Sequence, residues 1–353
     1  MFDPSAGTLK TPLLGKTLIE LQDLSRSLAL PSFTGGQISY WLYKTNIQSF
    51  DEMTNISRKV RLLLAENYSI GAVDHVKVQV SGDGARKYLF PTLAGKFIES
   101  AFIPEERRNT LCVSTQVGCK MGCLFCMTGK QGFQANLAAG EILNQLRSLP
   151  ERSCISNIVF MGMGEPFDNL DAVMRAQEIL TAEYGFAISV RKVTVSTIGI
   201  VPAIKVFLEK SKCNLAVSLH TPFDDERRQL MPIQHVYSIK EVIETINQFD
   251  LGKYRRVSME YIVFSGLNDT RRHVKELARL LNKTRCRINL IRFHPVPGVP
   301  LPSTNEESLL AFQFALNEKG IVTTIRASRG LDIDAACGLL STKALVRKEN
   351  VEL

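Results

Sequence analysis

Apolar positions fall at helical spacing through residues 16 to 68, where Leu21, Leu24 and Leu28, then Ile38, Trp41 and Leu42, then Val60, Leu63 and Leu64 recur three and four apart. That spacing lines one face of a 3.6-residue helix, so a small helical module is expected there. From 74 to 104 the pattern shortens to extended runs broken by Gly82, Asp83 and Gly84, a hairpin signal. Seven strand-like runs follow: TLCVST, ISNIVFMG, KVTVST, CNLAVSLH, VSMEYIVF, RINLIRF and IVTTIRA. Between most of them lie helical segments such as AGEILNQLRSL, DAVMRAQEILTAEY and SIKEVIETINQF. Alternation of this kind builds parallel βα units, closed as a barrel or left as an open sheet. No sequence repeat or low-complexity segment interrupts it.

Length and charge narrow the setting. A chain of 353 residues exceeds one typical domain, and an apolar content of 45% supplies an ample core. One large domain with a small one is therefore expected. The net charge of +8 and the pI near 9.0 suit a phosphate-rich partner without marking where it binds. The Lys and Arg near 105 to 108, 253 to 256 and 343 to 348 are read singly as solvated surface. The opening MFDPSAGTLKTPLLGKT carries neither a signal-peptide pattern nor a transit-peptide bias. No apolar run reaches the roughly 18 residues of a membrane span. A soluble, cytoplasmic monomer without a membrane partner is expected, and there clustered cysteines serve metal or redox chemistry rather than a disulfide framework.

Active sites of βα folds gather at the carboxyl ends of the strands. Five such ends carry polar groups here. The segment GCKMGCLFCMTGKQGF, with Cys119, Cys123 and Cys126, follows the first run; Gly162–Pro166 (GMGEP) follows the second; Ser196 and Thr197 close the third; Ser218, Leu219 and His220 close the fourth; and His294–Gly298 (HPVPG) follows the sixth. Three thiolates lie within eight residues, whereas structural zinc and plain ferredoxin clusters take four ligands. Three cysteines on a four-iron cluster leave one iron open to a substrate or cofactor. Cys154, Cys213 and Cys286 stand alone at the edges of strand runs and are read as small core residues.

The three-cysteine spacing, with Phe125 before the last cysteine, resembles the radical S-adenosylmethionine (SAM) superfamily, in which the open iron chelates the methionine end of the cofactor. The segments GCKMGCLFCMTGKQGF, FMGMGEP, VSTIGIVP, VSLHTPFDDER, LMPI, NLIRFHPVPG and RGLDIDAACG, in this order, are similar to the RlmN/Cfr group of RNA adenine methyltransferases. RLLLAENYSIG and SYWLYKTNIQSFDEMTNISR resemble that group's amino-terminal accessory domain. The resemblance implies a partial (βα)6 radical-SAM barrel at 105–342, a helical accessory domain in contact with RNA at 1–73, a hairpin connection at 74–104 and a basic tail at 343–353. It implies one 4Fe-4S cluster on Cys119, Cys123 and Cys126, and two SAM molecules per turnover, bound by Gly164, Glu165, Ser196, Ser218, Leu219, His220 and His294. Glu165 would offset the cofactor's ammonium.

Carbon 2 of adenine is electron-poor and offers no nucleophilic lone pair, so a methyl group reaches it only by a radical route. In the family, one SAM methylates a cysteine near the carboxyl terminus, and a second is cleaved reductively to a radical that takes hydrogen from that S-methyl group. The resemblance makes Cys337 the methyl carrier, Cys112 the resolving cysteine that forms a disulfide with it, and Glu99 the base that removes the proton of carbon 2. Taken alone, Cys112 reads as a buried small residue, Cys337 as the same near a helix end, Glu99 as one surface carboxylate among many, and His220 as a satisfied core histidine. Implied partners are 23S rRNA, the anticodon loop of tRNA, and a reductase or flavodoxin-type electron donor. Both RNAs offer an extrudable base. TGKQGF, RGLDIDAACG and WLYKTNIQSFDEMTNI sit closer to the carbon-2 enzymes than to the Cfr-like carbon-8 enzymes, which stay the alternative; a radical-SAM enzyme of a non-RNA substrate is more distant. Two positions depart from the family: His294 stands where many relatives have Asn, leaving an imidazole to make that contact, and Leu339 replaces a Gln beside Cys337.

Overall fold

The computed structural model describes residues 10–342; the basic tail expected at 343–353 lies outside the described residues. Ten strands form one sheet in chain order: β1 (Lys77–Val80), β2 (Arg86–Pro91), β3 (Phe97–Glu105), β4 (Arg108–Cys112), β5 (Asn157–Phe160), β6 (Val193–Thr197), β7 (Asn214–Ser218), β8 (Val257–Val263), β9 (Cys286–Arg292) and β10 (Thr323–Arg326). β4 to β10 pair in parallel, so all seven strand-like runs of the sequence become strands, with six crossovers between them. β1 to β3 pair antiparallel and continue the sheet through β3 and β4, so residues 74–104 extend the sheet as well as connecting it.

The sheet curls. β5 and β10 stand five strands apart, a separation of about 24 Å in a flat sheet. Yet Arg326, at the end of β10, donates from Nη1 to the sulfur of Met161, just beyond β5, at 3.2 Å. The parallel strands therefore form a partial barrel. Their central positions, Ile158, Val195, Leu215, Val217, Met259 and Ile288, are sealed from solvent and join one core with the covering helices. Helices α5 (Ala139–Arg147) and α6 (Leu170–Thr181) pack as neighbours outside it, as do α7 (Val201–Lys210) and α9 (Ile239–Asn247). Among the described residues no helix is long and apolar enough to cross a membrane.

The amino-terminal module contains α1 (Leu18–Ser27), α2 (Phe33–Tyr43) and α3 (Arg58–Asn67). Thr17 caps α1 through a capping box, its Oγ1 accepting from the Glu20 amide at 3.3 Å while Glu20 accepts from the Thr17 amide at 2.8 Å. Leu21, Ile38, Leu42 and Leu64 are the buried face of this module, and they merge into the core of the barrel. Two arginines fasten the joint. Arg147 of α5, fully buried, donates to the carbonyls of Leu42 and Ile47, and Arg152 donates to those of Thr45 and Tyr43.

Of the basic residues read as surface, Arg255 is instead structural: it donates to the carbonyls of Cys213, Leu208 and Phe207 and caps the carboxyl end of α7.

Replacing Arg147 by Met would leave two carbonyls at the joint without their donor. The expected loss is about 2 kcal/mol of unfolding free energy, read by urea titration, with new proteolytic cuts confined to residues 10–73. An unchanged midpoint and cleavage pattern would contradict this account of the joint.

Candidate active site

The cysteine loop leaves β4 and is closed on itself by a two-residue antiparallel ladder, Gln116 opposite Asn136 and Val117 opposite Ala135. Gly118, at φ +71°, makes the closure sterically feasible: a Cβ there would meet the Gly132 carbonyl oxygen at 1.7 Å. Within the loop, α4 (Met127–Gln131) starts at Cys126, which caps it. Leu124 donates its amide to the Leu230 carbonyl at 2.9 Å, and Met127 donates to the Gly338 carbonyl at 2.8 Å. The loop is thus held from both sides before it holds anything.

Cys119, Cys123 and Cys126 line one cavity at the carboxyl ends of the strands. None is in a disulfide. Burial pushes the Cys119 thiol up to about 12 and raises Cys123 and Cys126. Amide groups of Gly129 and Thr128, at the start of α4, work against burial at Cys126. Among the described residues no three His, Cys, Asp or Glu side chains gather tightly enough to grip a single metal ion. The three thiols share a wall instead, and a multi-iron cluster fits them: it takes three soft sulfur donors and replaces lost hydration with its own positive charge.

The strand ends supply the rest of the wall: Gly164, Glu165, Ser196, Ser218, His220 and His294 all line the same cavity. Gly164, at φ +95°, lies so close to Gln116 that a Cβ would come within 2.5 Å of its side chain. Glu165 accepts from Thr197 Oγ1 at 2.7 Å, the Ile198 amide at 3.0 Å and the Phe167 amide at 3.1 Å. Burial nonetheless pushes its carboxyl up to about 7, so a cationic ligand group beside it would hold it ionised. His220 takes a left-handed backbone (φ +58°), and its Nδ1 accepts from the Ile262 amide at 2.9 Å. That bond leaves the proton on Nε2, and burial lowers the ring to about 3, so the imidazole is a neutral donor at neutral pH. Its ring meets Phe125 edge-on at 4.7 Å. His294 bonds through Nε2 with Ser328 Oγ at 2.8 Å.

Two expected residues stand away from this wall. Leu219 is buried in the main core, and only its backbone takes part: its amide donates to the Glu260 carbonyl at 2.9 Å and its carbonyl accepts from Arg227 Nε at 3.3 Å. Glu99, on β3, is a buried carboxylate paired with Lys87 Nζ at 3.2 Å, and it accepts from the Ser341 amide at 3.0 Å. Burial raises its pKa while Lys87 opposes the rise.

Cys112 and Cys337 both line the cavity. The expected disulfide between them is not formed: both are free thiols. Burial, with the Cys337 sulfur adding to it, pushes Cys112 up to about 12, and a protonated thiol does not exchange. Cys337 rides on a strap, residues 330–342, tied at both ends. Asp332 accepts from Ser81 Oγ at 2.5 Å and from the Gly82 amide at 3.1 Å, and Asp83 accepts from the Gly330 amide at 2.9 Å. At the far end Thr128 Oγ1 donates to the Leu340 carbonyl at 2.6 Å, and Gln131 binds Thr342.

Three wall-building residues escape the motif reading. Arg227, fully buried, donates to the carbonyls of Ile198 at 2.8 Å and Ser218 at 2.9 Å, fixing the ends of β6 and β7. Its signal was helical phase: Leu230, three residues on, is buried on the same face of α8 (Asp224–Leu230). Glu260 and Arg326 line the cavity from β8 and β10, each the single charged residue of its strand run.

Comparison with known proteins follows the same outline. The family model of the radical SAM superfamily matches residues 113–281, and that of the ribosomal RNA large subunit methyltransferase N-terminal domain matches residues 11–70. The chain is 52% identical to a Phocaeicola vulgatus protein named probable dual-specificity RNA methyltransferase RlmN, over 98% of this chain and 99% of that protein. It is 44% identical to the dual-specificity RNA methyltransferase RlmN of Syntrophus aciditrophicus, over 94% and 97% of the two chains. The crystal structure of a radical SAM methyltransferase from Sphaerobacter thermophilus superposes with a TM-score of 0.88 at 39% identity, covering 94% of this chain and 99% of the other. With both family models matched and relatives this similar over nearly its whole length, the chain belongs to the RlmN family of radical SAM RNA methyltransferases.

Proposed function

We propose that this enzyme methylates carbon 2 of adenine in 23S rRNA and in tRNA anticodon loops, carrying the methyl group on Cys337. The observation that carries this reading is the meeting of five cysteines in one cavity: three at the mouth of β4, with Cys112 and Cys337 free beside them. An ordinary methyltransferase has no use for two further thiols. The cluster and SAM, when bound, supply the methyl group and the hydrogen-abstracting radical that an electron-poor ring carbon requires.

The chain's own residues do the rest. Glu165 meets the cofactor's ammonium, and His220 offers its neutral Nε2 hydrogen to an acceptor atom of the cofactor. Cys337 takes the methyl carbon and joins it to the base, which leaves RNA bound through that sulfur. Glu99 takes the proton of carbon 2, and the cluster, when bound, would accept the one electron that the radical addition leaves on the ring. Cys112, as thiolate, then attacks the Cys337 sulfur. A sulfur–sulfur bond forms as the sulfur–carbon bond breaks, and the carbon keeps the electron pair and takes a proton to become the methyl product. The two cysteines are oxidised to a disulfide in that step, and a dithiol reductant returns them to the free thiols seen here. Residues of the amino-terminal module and the basic surface contact the RNA, with salt-dependent affinity.

Anaerobic reconstitution is expected to give about four irons per chain, and Ala at any one of Cys119, Cys123 or Cys126 to abolish product. Stoichiometric zinc without iron uptake would refute the cluster assignment.

Cys337→Ala is expected to make no methylated RNA. Cys112→Ala is expected instead to accumulate protein joined to RNA through Cys337, seen as a nuclease-sensitive shift on a denaturing gel. Mass spectrometry of nucleosides from the wild-type reaction reports the methylated carbon. Normal turnover by Cys112→Ala, or 8-methyladenosine as the product, would overturn the respective part of this reading.

A further inference from the structure

Lys87 and Glu99 form an ion pair sealed from solvent, Nζ to Oε1 at 3.2 Å, with each side chain 8% exposed. A buried pair gains little net stability over an apolar one, so its presence here asks for a use. The register of the sheet supplies the place. Lys87 of β2 lies opposite Ala101 of β3 and Glu99 lies opposite Leu89, so all four point to one face. Ala101 in turn lies opposite Cys112 of β4, which lines the active cavity. The ion pair therefore shares its sheet face with Cys112, and the strap covers that face: Ala335 packs with Ala101 and Cys112, and the Ser341 amide donates to Glu99 Oε2 at 3.0 Å. The backbone of Glu99 is fixed as well. Its carbonyl accepts from Ser114 Oγ at 2.5 Å and its amide donates to Met163 Sδ at 3.3 Å, both partners lying just beyond strand ends of the barrel.

The groups facing the carboxyl are Lys87 from β2 and, from the strap, Asp334 and the Ser341 amide. Burial and Asp334 favour the neutral acid, burial most of all; Lys87 and the amide favour the carboxylate. A neutral carboxylic acid cannot take a proton. We propose that Lys87 is a positioning residue for the proton-accepting step, its ammonium keeping Glu99 as a carboxylate on the Cys112 face behind the strap. In that step the bond from carbon 2 to hydrogen breaks, the hydrogen leaves as a proton to form O–H on Glu99, and the bonding pair stays with the ring, whose one surplus electron goes to the bound cluster as in the reading above. Glu99 is then neutral beside an unpaired ammonium. The same charge that favoured the carboxylate favours release of the proton to solvent, which resets the base. This inference rests on Glu99 as the base in that reading, and the experiment separates the two.

Lys87→Gln keeps a donor beside Glu99 and removes the charge. The test follows single-turnover product formation by cluster-loaded enzyme already methylated at Cys337, from about pH 6 to about pH 9, with RNA carrying hydrogen or deuterium at carbon 2 of the target adenine. Below its pKa a carboxyl loses about tenfold of its ionised fraction for each pH unit. Without the ammonium the Glu99 pKa rises further, so the acidic limb of the profile is expected to move up by about one unit or more. The rate then falls at least ~10-fold at the foot of the wild-type limb and recovers as pH rises, with a larger deuterium effect at low pH. Lys87→Arg, which keeps the charge, is expected to restore the wild-type limb. A rate lowered by one factor at every pH, with the limb unmoved and no added deuterium effect, is what a merely structural pair gives and overturns the proposal. Should the Gln variant fail to fold, the wild-type protein decides: carbon-13 NMR with labelled glutamate carboxyls, the Glu99 signal assigned by its loss in Glu99→Gln, is expected to show a carboxylate at neutral pH, and a neutral acid there overturns it. Normal turnover by Glu99→Gln refutes Glu99 as the base. Lost turnover in Glu99→Gln with an unmoved limb in Lys87→Gln refutes this inference and leaves that reading standing.

Discussion

The bond from the Met127 amide to the Gly338 carbonyl joins the two ends of the catalytic apparatus. One partner opens the helix that follows Cys126; the other follows Cys337 by one residue. Remove the tie, and Cys337 belongs to an irregular terminal segment with left-handed residues at Gly330, Asp334 and Gly338. With it, and with Thr128 and Gln131 binding the residues just beyond, a segment more than two hundred positions downstream becomes a wall of the cysteine loop. The curl of the sheet makes the meeting reachable, because it brings the end of β10 back over β4 and β5.

Charge in this interior is handled by local partners rather than by solvent. Arg227 spends its donors on the carbonyls of Ile198, Ser218 and Leu219 and on the side-chain oxygen of Gln234, which ties the ends of β6 and β7 together. Lys87 and Glu99 neutralise each other in a site where either alone would be costly. His220 avoids charge altogether. At Glu165 burial outweighs the three donors and holds the carboxyl at about 7, so its state follows what lies beside it. Each arrangement prepares a surface for a ligand that brings its own charge.

The periodic pattern carried most of this fold because parallel strands buried on both faces leave long apolar runs, and all seven runs appear as strands. The cysteine cluster and the strand-end groups were legible because active-site chemistry there is local in sequence. What was not legible was long-range or conformational. Arg255 looked like surface because sequence does not show that two carbonyls of α7 and that of Cys213 await it. Leu219 was grouped with its neighbours at a strand end, yet the left-handed turn at His220 sends the imidazole to the cavity and leaves the leucine in the core. Arg326 lay in plain view inside IVTTIRA, but only the curl of the sheet sets it against Met161.

The closure of the cysteine loop bears on how the protein is assembled. A small zinc module folds because its metal draws the ligands together, so metal binding and folding are one event. Here the ladder between residues 116–117 and 135–136, the contact at Gly118, and the ties to Leu230 and Gly338 draw the loop shut by backbone alone. Iron and sulfide then enter a finished vessel. Loss of a bound cluster would leave these backbone ties in place, so the loop's closure does not depend on the metal.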